Sequence, residues 1–413
     1  MKRRDALHGL TLASLLPLEA AESAVPPLPD RKLLTANPET YWSRIRREQF
    51  LLPPGRAFLN NGSLGVIARP VYHALLEYVR RSAALEVQEY PRWGYETLDQ
   101  ERSEMAEFLG CHRDELAFTH NCTEAMSIVA NGLDLKSGDE VLITDQEHTG
   151  GLSCWKLKEA RAGIALRTVK IPVAPKDSGE IAGRMISAIT PATRVLSFSG
   201  ITTTTGLILP VEQICRAARD KGVITVVDGA HMNGQIPVTL RELGCDYYAG
   251  SPHKWMFAPA GCGILFGRGD MLDRLWPAVV SGGWDNKKDL RAARFMMVGT
   301  NNRAIFHGMM AGLRLLKDLG PANVFARQKH LSRRIVDHVK RRSYVELVTP
   351  EDENLSAALV TIRFKQDDLR PLFEAMEKRR IWILGGKQMR LSVHVHTRPE
   401  DIDAFFSVAD RVL

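Results

Sequence analysis

From residue 116 onward the chain repeats one phrase: a short apolar run, a small polar turn, then apolar residues at helical spacing. Leu116-Ala117-Phe118-Thr119, Glu140-Val141-Leu142-Ile143-Thr144, Val195-Leu196-Ser197-Phe198-Ser199 and Val223-Ile224-Thr225-Val226-Val227 are such runs. They are too short for helices and apolar almost throughout, which predicts strands buried on both faces. Cys245-Asp246-Tyr247-Tyr248-Ala249 and Ile264-Leu265-Phe266 continue the series. Between runs, helical spacing predicts a helix from about 120 to 131 and another over 210–222, with Pro210 in its first turn and Gly222 past its end. Strand and helix in alternation predict an α/β fold with a mostly parallel sheet.

The flanks read differently. A helix over 42–50 is stopped by Pro53-Pro54-Gly55, and Phe58-Leu59-Asn60-Asn61-Gly62-Ser63 is a strand end passing into a glycine turn. Residues 71–84 and 95–109 have helical spacing around a loop at 90–94. Beyond 300 come helices over 303–320 and 324–342, then strands over 357–364, 381–384 and 390–395 interleaved with helices over 369–379 and 399–412. This predicts a large domain over 66–300 and a smaller α+β domain built from 31–65 and 301–413.

Composition narrows the class. The chain has 413 residues, 45% hydrophobic and 25% charged, as in ordinary globular proteins. The net charge of +7 is spread along the length, so it favours anionic ligands weakly and gives no ground for nucleic-acid binding. Six cysteines show no CxxC and no metal-ligand spacing, so no metal site is predicted. The basic start with Arg3-Arg4, the apolar run at 10–18 and the small residues before Ala24 are the parts of an export signal. The arginine pair resembles a twin-arginine signal, which carries folded proteins and implies a periplasmic or exported location. An amphipathic arm on a cytoplasmic protein is the alternative. The run is too short to span a membrane, and residues 1–30 are read as signal and linker.

The chemistry sits at two predicted strand ends. Asp228 closes Val226-Val227-Asp228-Gly229-Ala230-His231, and Gly250-Ser251-Pro252-His253-Lys254-Trp255 follows the next strand. A buried carboxylate needs a cation to face it. Alone, the lysine reads as a surface residue and the aspartate as a helix cap. Together they suit a pyridoxal phosphate (PLP) site, with a Schiff-base lysine and an acid that keeps the pyridine nitrogen protonated. The helix start after Thr119 adds free N–H groups, an anion site fit for a phosphate.

On these motifs the sequence resembles the class V group of fold-type-I PLP enzymes, which includes cysteine desulfurases, kynureninases and isopenicillin N epimerases. The resemblance runs from about Phe58 to the end. It implies a seven-stranded, mostly parallel sheet. It places Cys122 and Thr123 on the PLP phosphate, with Ser251 and His253 as further cofactor contacts, and stacks His148, after Glu147, over the pyridine ring. Desulfurases and many aminotransferases have an asparagine on the cofactor oxygen where this chain has Thr203, so Thr203 and His231 are the two cofactor-binding candidates for that contact. Thr300, after Gly299, is expected to reach the cofactor of a partner subunit in a homodimer with shared sites. Arg390, in Arg390-Leu391-Ser392, is expected on the substrate carboxylate, and Asn61 at the substrate mouth.

These residues imply an enzyme that handles an amino acid or amino-acid-like compound through a Cα carbanion, with Lys254 as base. Epimerisation, elimination and transamination all start there. Cys262 is the only cysteine between Lys254 and Arg390, inside a predicted strand, so a desulfurase nucleophile is not expected. Asn60-Asn61-Gly62-Ser63 and the threonine run at 202–205 favour the isopenicillin N epimerase-like branch, epimerase or lyase. A class V aminotransferase is the alternative. A non-catalytic PLP-fold binding protein would be expected to lack Lys254 or Asp228.

Overall fold

The computed structural model describes residues 25–86 and 97–413. The strands are β1 (Ala57–Phe58), β2 (Leu116–Thr119), β3 (Glu140–Thr144), β4 (Ala165–Val169), β5 (Thr193–Ser199), β6 (Ile224–Asp228), β7 (Tyr247–Gly250), β8 (Gly263–Gly267), β9 (Val345–Leu347), β10 (Leu359–Phe364), β11 (Ile381–Trp382) and β12 (Gln388–Ser392). Seven form one sheet in the order β2-β8-β7-β6-β5-β3-β4. β8 runs antiparallel to both its neighbours, and the pairs among β7, β6, β5, β3 and β4 are parallel. Every residue of β3 and β6 is buried, which is why those segments are apolar without alternation. The edge strand β4 is exposed or half-buried at every position but Val169 and carries the polar pair Arg167-Thr168.

Helix boundaries follow the expected signals. Asn121 caps Cys122–Gly132, its Oδ1 accepting the Glu124 N–H at 2.8 Å. Val211–Asp220 follows Pro210 and ends before Gly222, whose φ of +69° only glycine takes at low cost. β7 starts two residues later than the sequence pattern predicts. The Asp246 carboxylate there accepts the Thr225 N–H at 2.8 Å and pairs with Arg268. The helix expected over 95–109 is Asp99–Leu109. Residues 95–96, the loop at 90–94 and the export signal lie outside the described residues.

A second core gathers β9, β10 and β12 with Leu331, Ile335 and Val339 of helix Pro321–Lys340, Leu372 and Met376 of Arg370–Lys378, and Phe405 and Phe406 of Pro399–Val412. β1 joins this side by pairing with β11. Helix Ala304–Leu319 and residues Tyr41, Trp42 and Ile45, assigned by the sequence pattern to the small domain, bury their apolar faces in the larger core instead. Their periodicity fixes a helix with an apolar stripe but says nothing of which core receives it. Among the described residues no helix is long and apolar enough to cross a membrane.

Candidate active site

Because β3, β5, β6 and β7 run the same way, the chain leaves all four at one edge of the sheet, where ligands of open α/β sheets bind. A cavity of about 270 Å³ lies there, lined by Cys122, Thr123, His148, Thr203, Asp228, Ser251, His253, Lys254 and Arg390, together with Gly62, Ser63, Asn121 and Ala230. Lys254 sits in the short helix Pro252–Trp255 directly after β7. Its Nζ lies 3.1 Å from His231 Nε2. Burial holds the Lys254 ammonium below the usual lysine range, against the opposing pull of Asp228 and Cys122.

Asp228 is 5% exposed. Its Oδ1 accepts the Ala230 N–H at 3.0 Å and the Cys122 thiol at 3.3 Å. Among the described residues it has no ion pair. The other oxygen looks onto helix Thr149–Ala162, where a Cβ on Gly151 would stand 2.9 Å from Oδ2, so a side chain there would crowd the carboxylate. The Cys122 thiol is therefore turned to Asp228 rather than into an anion site, and burial with the neighbouring carboxylate pushes it up. That leaves backbone N–H groups, and the exposed Thr123, as the groups a phosphate would meet on this helix.

Glu147 packs beside this acid. It accepts hydrogen bonds from Thr144 and, at 2.7 Å, from Ser199. Burial first, then the Asp228 charge, push its carboxyl up to about 7 against those two hydroxyls. His148 caps the following helix, its Nδ1 accepting the Gly150 N–H at 3.0 Å, and its ring is exposed at the cavity. Desolvation and Lys254 hold that imidazole below its usual range. His253 Nδ1 lies 3.2 Å from the Cys262 carbonyl, so it carries the proton and leaves Nε2 free.

Arg390 reaches the cavity from β12. Its guanidinium donates to Thr203 Oγ1, to Ser63 Oγ at 2.7 Å and, at 3.5 Å, to Asn60 Oδ1. None of these partners is ionised, and burial pulls the group down to about 10. A guanidinium this desolvated with only neutral partners is a ready seat for a carboxylate.

Three expected site residues do not line the cavity. His231 lies behind Lys254, on its nitrogen. Thr300 is exposed and away from this chain's own cavity. Asn61, expected at the substrate, is 1% exposed and turned inward. Its Nδ2 donates to the Lys254 carbonyl at 2.6 Å and its Oδ1 pairs with His396 Nε2 at 3.1 Å. One half of the amide holds the lysine backbone and the other is tied to His396. Gly65 completes that clamp, since a Cβ on it would stand 2.4 Å from the Lys254 oxygen. Ser63, Asn60 and His396 were not singled out as site residues. Ser63 carried a signal, a hydroxyl beside the glycine turn, whereas His396 carried none.

The family described as "Aminotransferase class-V" matches residues 59–405. An isopenicillin N epimerase from Streptomyces clavuligerus is 32% identical over 395 residues, covering 88% of this chain and 96% of that protein. A probable cysteine desulfurase from Pyrococcus abyssi is 22% identical, covering 86% of this chain and 94% of its own. The solved complex of the cystine C–S lyase C-DES with its reaction product cysteine persulfide superposes with a TM-score of 0.78 at 24% identity, covering 86% of this chain and 98% of that one. That likeness shows the fold, the fold-type-I architecture expected from the sequence.

Proposed function

This chain belongs to the class V aminotransferase family, whose members are PLP-dependent enzymes, and from that premise we propose an isopenicillin N epimerase-like activity, epimerase or lyase, on an amino acid or amino-acid-like substrate. The single observation that carries it is Arg390, a desolvated guanidinium with only neutral partners in the same cavity as Lys254 Nζ. The residues fit the cofactor. Asp228 is a buried carboxylate that lacks a cation among the described residues, which a protonated pyridine nitrogen would supply. The start of helix Cys122–Gly132, Ser251 and His253 would hold the phosphate.

Bound PLP supplies a pyridine ring that spreads negative charge developing at the substrate Cα. Asp228 would keep a proton on the ring nitrogen. Arg390 fixes the substrate carboxylate through N–H donors not used by Thr203, Ser63 and Asn60. Lys254, whose charged form burial disfavours, would take the Cα proton. His148, exposed at the cavity, would lie against the bound ring, and it or Thr203 would return a proton to the opposite face of Cα if the configuration inverts.

Two observations weigh against a desulfurase. The thiol of Cys262 is fully buried and donates to the Pro259 carbonyl at 3.1 Å, and burial pushes it up. Cys122 is turned to Asp228. Neither is a thiolate nucleophile. The direct test incubates the purified protein with L-amino acids and small peptides in deuterated water. Cα exchange, inversion, keto acid and thiol are followed together. Exchange with inversion or elimination supports the reading; thiol transfer to a protein cysteine, or no exchange with any substrate, rejects it. Arg390→Gln is expected to lower kcat/KM about a hundredfold, and Arg390→Lys about tenfold, since the lysine keeps the charge but loses the fork. Unchanged kcat/KM in Arg390→Gln removes it from the carboxylate.

We also propose a homodimer in which Thr300 serves the partner's cofactor, supported by the exposure of Thr300 and of the large apolar residues Trp276, Val279 and Val280. Export by a twin-arginine route, from Arg3-Arg4, is the companion proposal. Arg3→Lys with Arg4→Lys preserves charge and removes the guanidinium pair, so the protein should stay in the cytoplasm, folded and coloured. Fractionation that the double substitution leaves unaltered counts against it.

A further inference from the structure

Lys254 and Trp255 are neighbours in sequence, and they reach one imidazole from its two ends. Trp255 Nε1 lies 3.2 Å from His231 Nδ1, and Lys254 Nζ lies 3.1 Å from His231 Nε2. An indole nitrogen donates and never accepts, so the lone pair at the first contact belongs to Nδ1. A neutral imidazole carries one proton, and with Nδ1 bare that proton is on Nε2.

The arrangement has little freedom to rearrange. Trp255 is fully buried and His231 is 3% exposed. Trp255 stacks on His394 with ring centroids 5.9 Å apart and planes 29° apart, and the Trp255 carbonyl accepts from His394 Nε2 at 3.0 Å. The other tautomer, like the imidazolium, would set an Nδ1–H against the indole N–H. That would leave a buried donor unpaired.

From this geometry we infer that Trp255 is a positioning residue that pins His231 in its Nε2–H tautomer, making it a fixed hydrogen-bond donor toward the Lys254 nitrogen. His231 then favours the form of Nζ that keeps its lone pair, and it does not accept a proton from the lysine. Asp228, Cys122 and Arg390 act on the same nitrogen, and Arg390, His148 and His253 face the imidazole, each through space. Only the Trp255 contact chooses which ring nitrogen is bare. The inference rests on the PLP reading for one of its two readouts.

The tautomer is read from the ring ¹⁵N shifts of the purified enzyme labelled with ¹⁵N-histidine, with His231 assigned by difference against His231→Gln. A protonated Nε2 and a bare Nδ1 across neutral pH are expected; a protonated Nδ1 overturns the inference. The second readout is the pKa seen in the near-visible absorbance of the lysine-linked cofactor. Trp255→Phe keeps an aromatic ring and removes the donor, so His231 can turn its lone pair to the lysine nitrogen and that pKa should rise by about half a unit to one unit. In the His231→Gln background, where an amide N–H needs no tautomer, Trp255→Phe should shift it no further. An equal shift in both backgrounds assigns the effect to packing and overturns the positioning role. A protein with no near-visible band defeats the PLP reading, while the ring shifts still decide the tautomer.

Discussion

Lys254→Ala is expected to lower turnover by at least about four orders of magnitude while the protein stays folded. Among the described residues that line the cavity, Lys254 is the only amine, and burial keeps it poised to lose its proton. Its structural contacts are made by the backbone. The Lys254 N–H donates to Ser251 O at 3.1 Å, and its carbonyl accepts from Asn61 Nδ2 at 2.6 Å. Gly65 N donates to the neighbouring His253 carbonyl at 2.9 Å. Alanine keeps all of these and gives up one side-chain hydrogen bond, to His231, worth about 1 kcal/mol. The variant should therefore melt close to wild type, keep its near-UV circular dichroism, and lose the near-visible band. Borohydride should fix the cofactor to the peptide carrying Lys254 in wild type and to no peptide in the variant. Activity or a reducible band surviving in Lys254→Ala would remove the lysine from the centre of the chemistry.

The sequence made one side of this site legible. Asp228, Lys254, His148 and the start of helix Cys122–Gly132 each follow a buried apolar run, and a parallel sheet delivers such positions to one edge. What stayed hidden depends on contacts between distant segments. Asn61 meets Lys254 across 193 positions and His396 across 335, and nothing local to a turn such as Asn60-Asn61-Gly62-Ser63 says that one amide will face inward. The resemblance pointed to this turn and to Asn61; in the structure Asn61 faces inward, and Ser63, two positions on, bonds Arg390. Thr203 and His231 were the two candidates for the cofactor oxygen; in the structure the Thr203 hydroxyl accepts from Arg390 and His231 lies on the Lys254 nitrogen. Strand pattern likewise revealed β8 but not its antiparallel seat between β2 and β7, because periodicity carries no direction.

That same sheet edge makes Asp228→Asn the second large effect. Asparagine matches aspartate in volume and can keep Oδ1 on the Ala230 N–H, so the substitution removes a buried charge without opening a cavity. The folded protein should be no less stable for it, since a carboxylate with no cation partner among the described residues is costly to bury. Catalysis should suffer instead. An amide cannot hold a proton on the pyridine nitrogen, and the loss of such a fixed electrostatic partner costs about a hundred- to a thousandfold in rate. Among the described residues, Glu147 is the one carboxyl pushed up by the Asp228 charge. Its value of about 7 is raised first by burial and in part by the Asp228 charge, so neutralising Asp228 lowers it and Glu147 ionises at lower pH. It still cannot substitute, because Thr144 and Ser199 hold its two oxygens. The variant should therefore bind PLP and show the near-visible band, yet exchange Cα hydrogen for deuterium at least about a hundred times more slowly than wild type. Cofactor content from the absorbance and exchange by NMR separate the two effects. Wild-type exchange in a fully loaded Asp228→Asn would mean that the ring nitrogen takes its proton from elsewhere, and that the buried acid serves the fold alone.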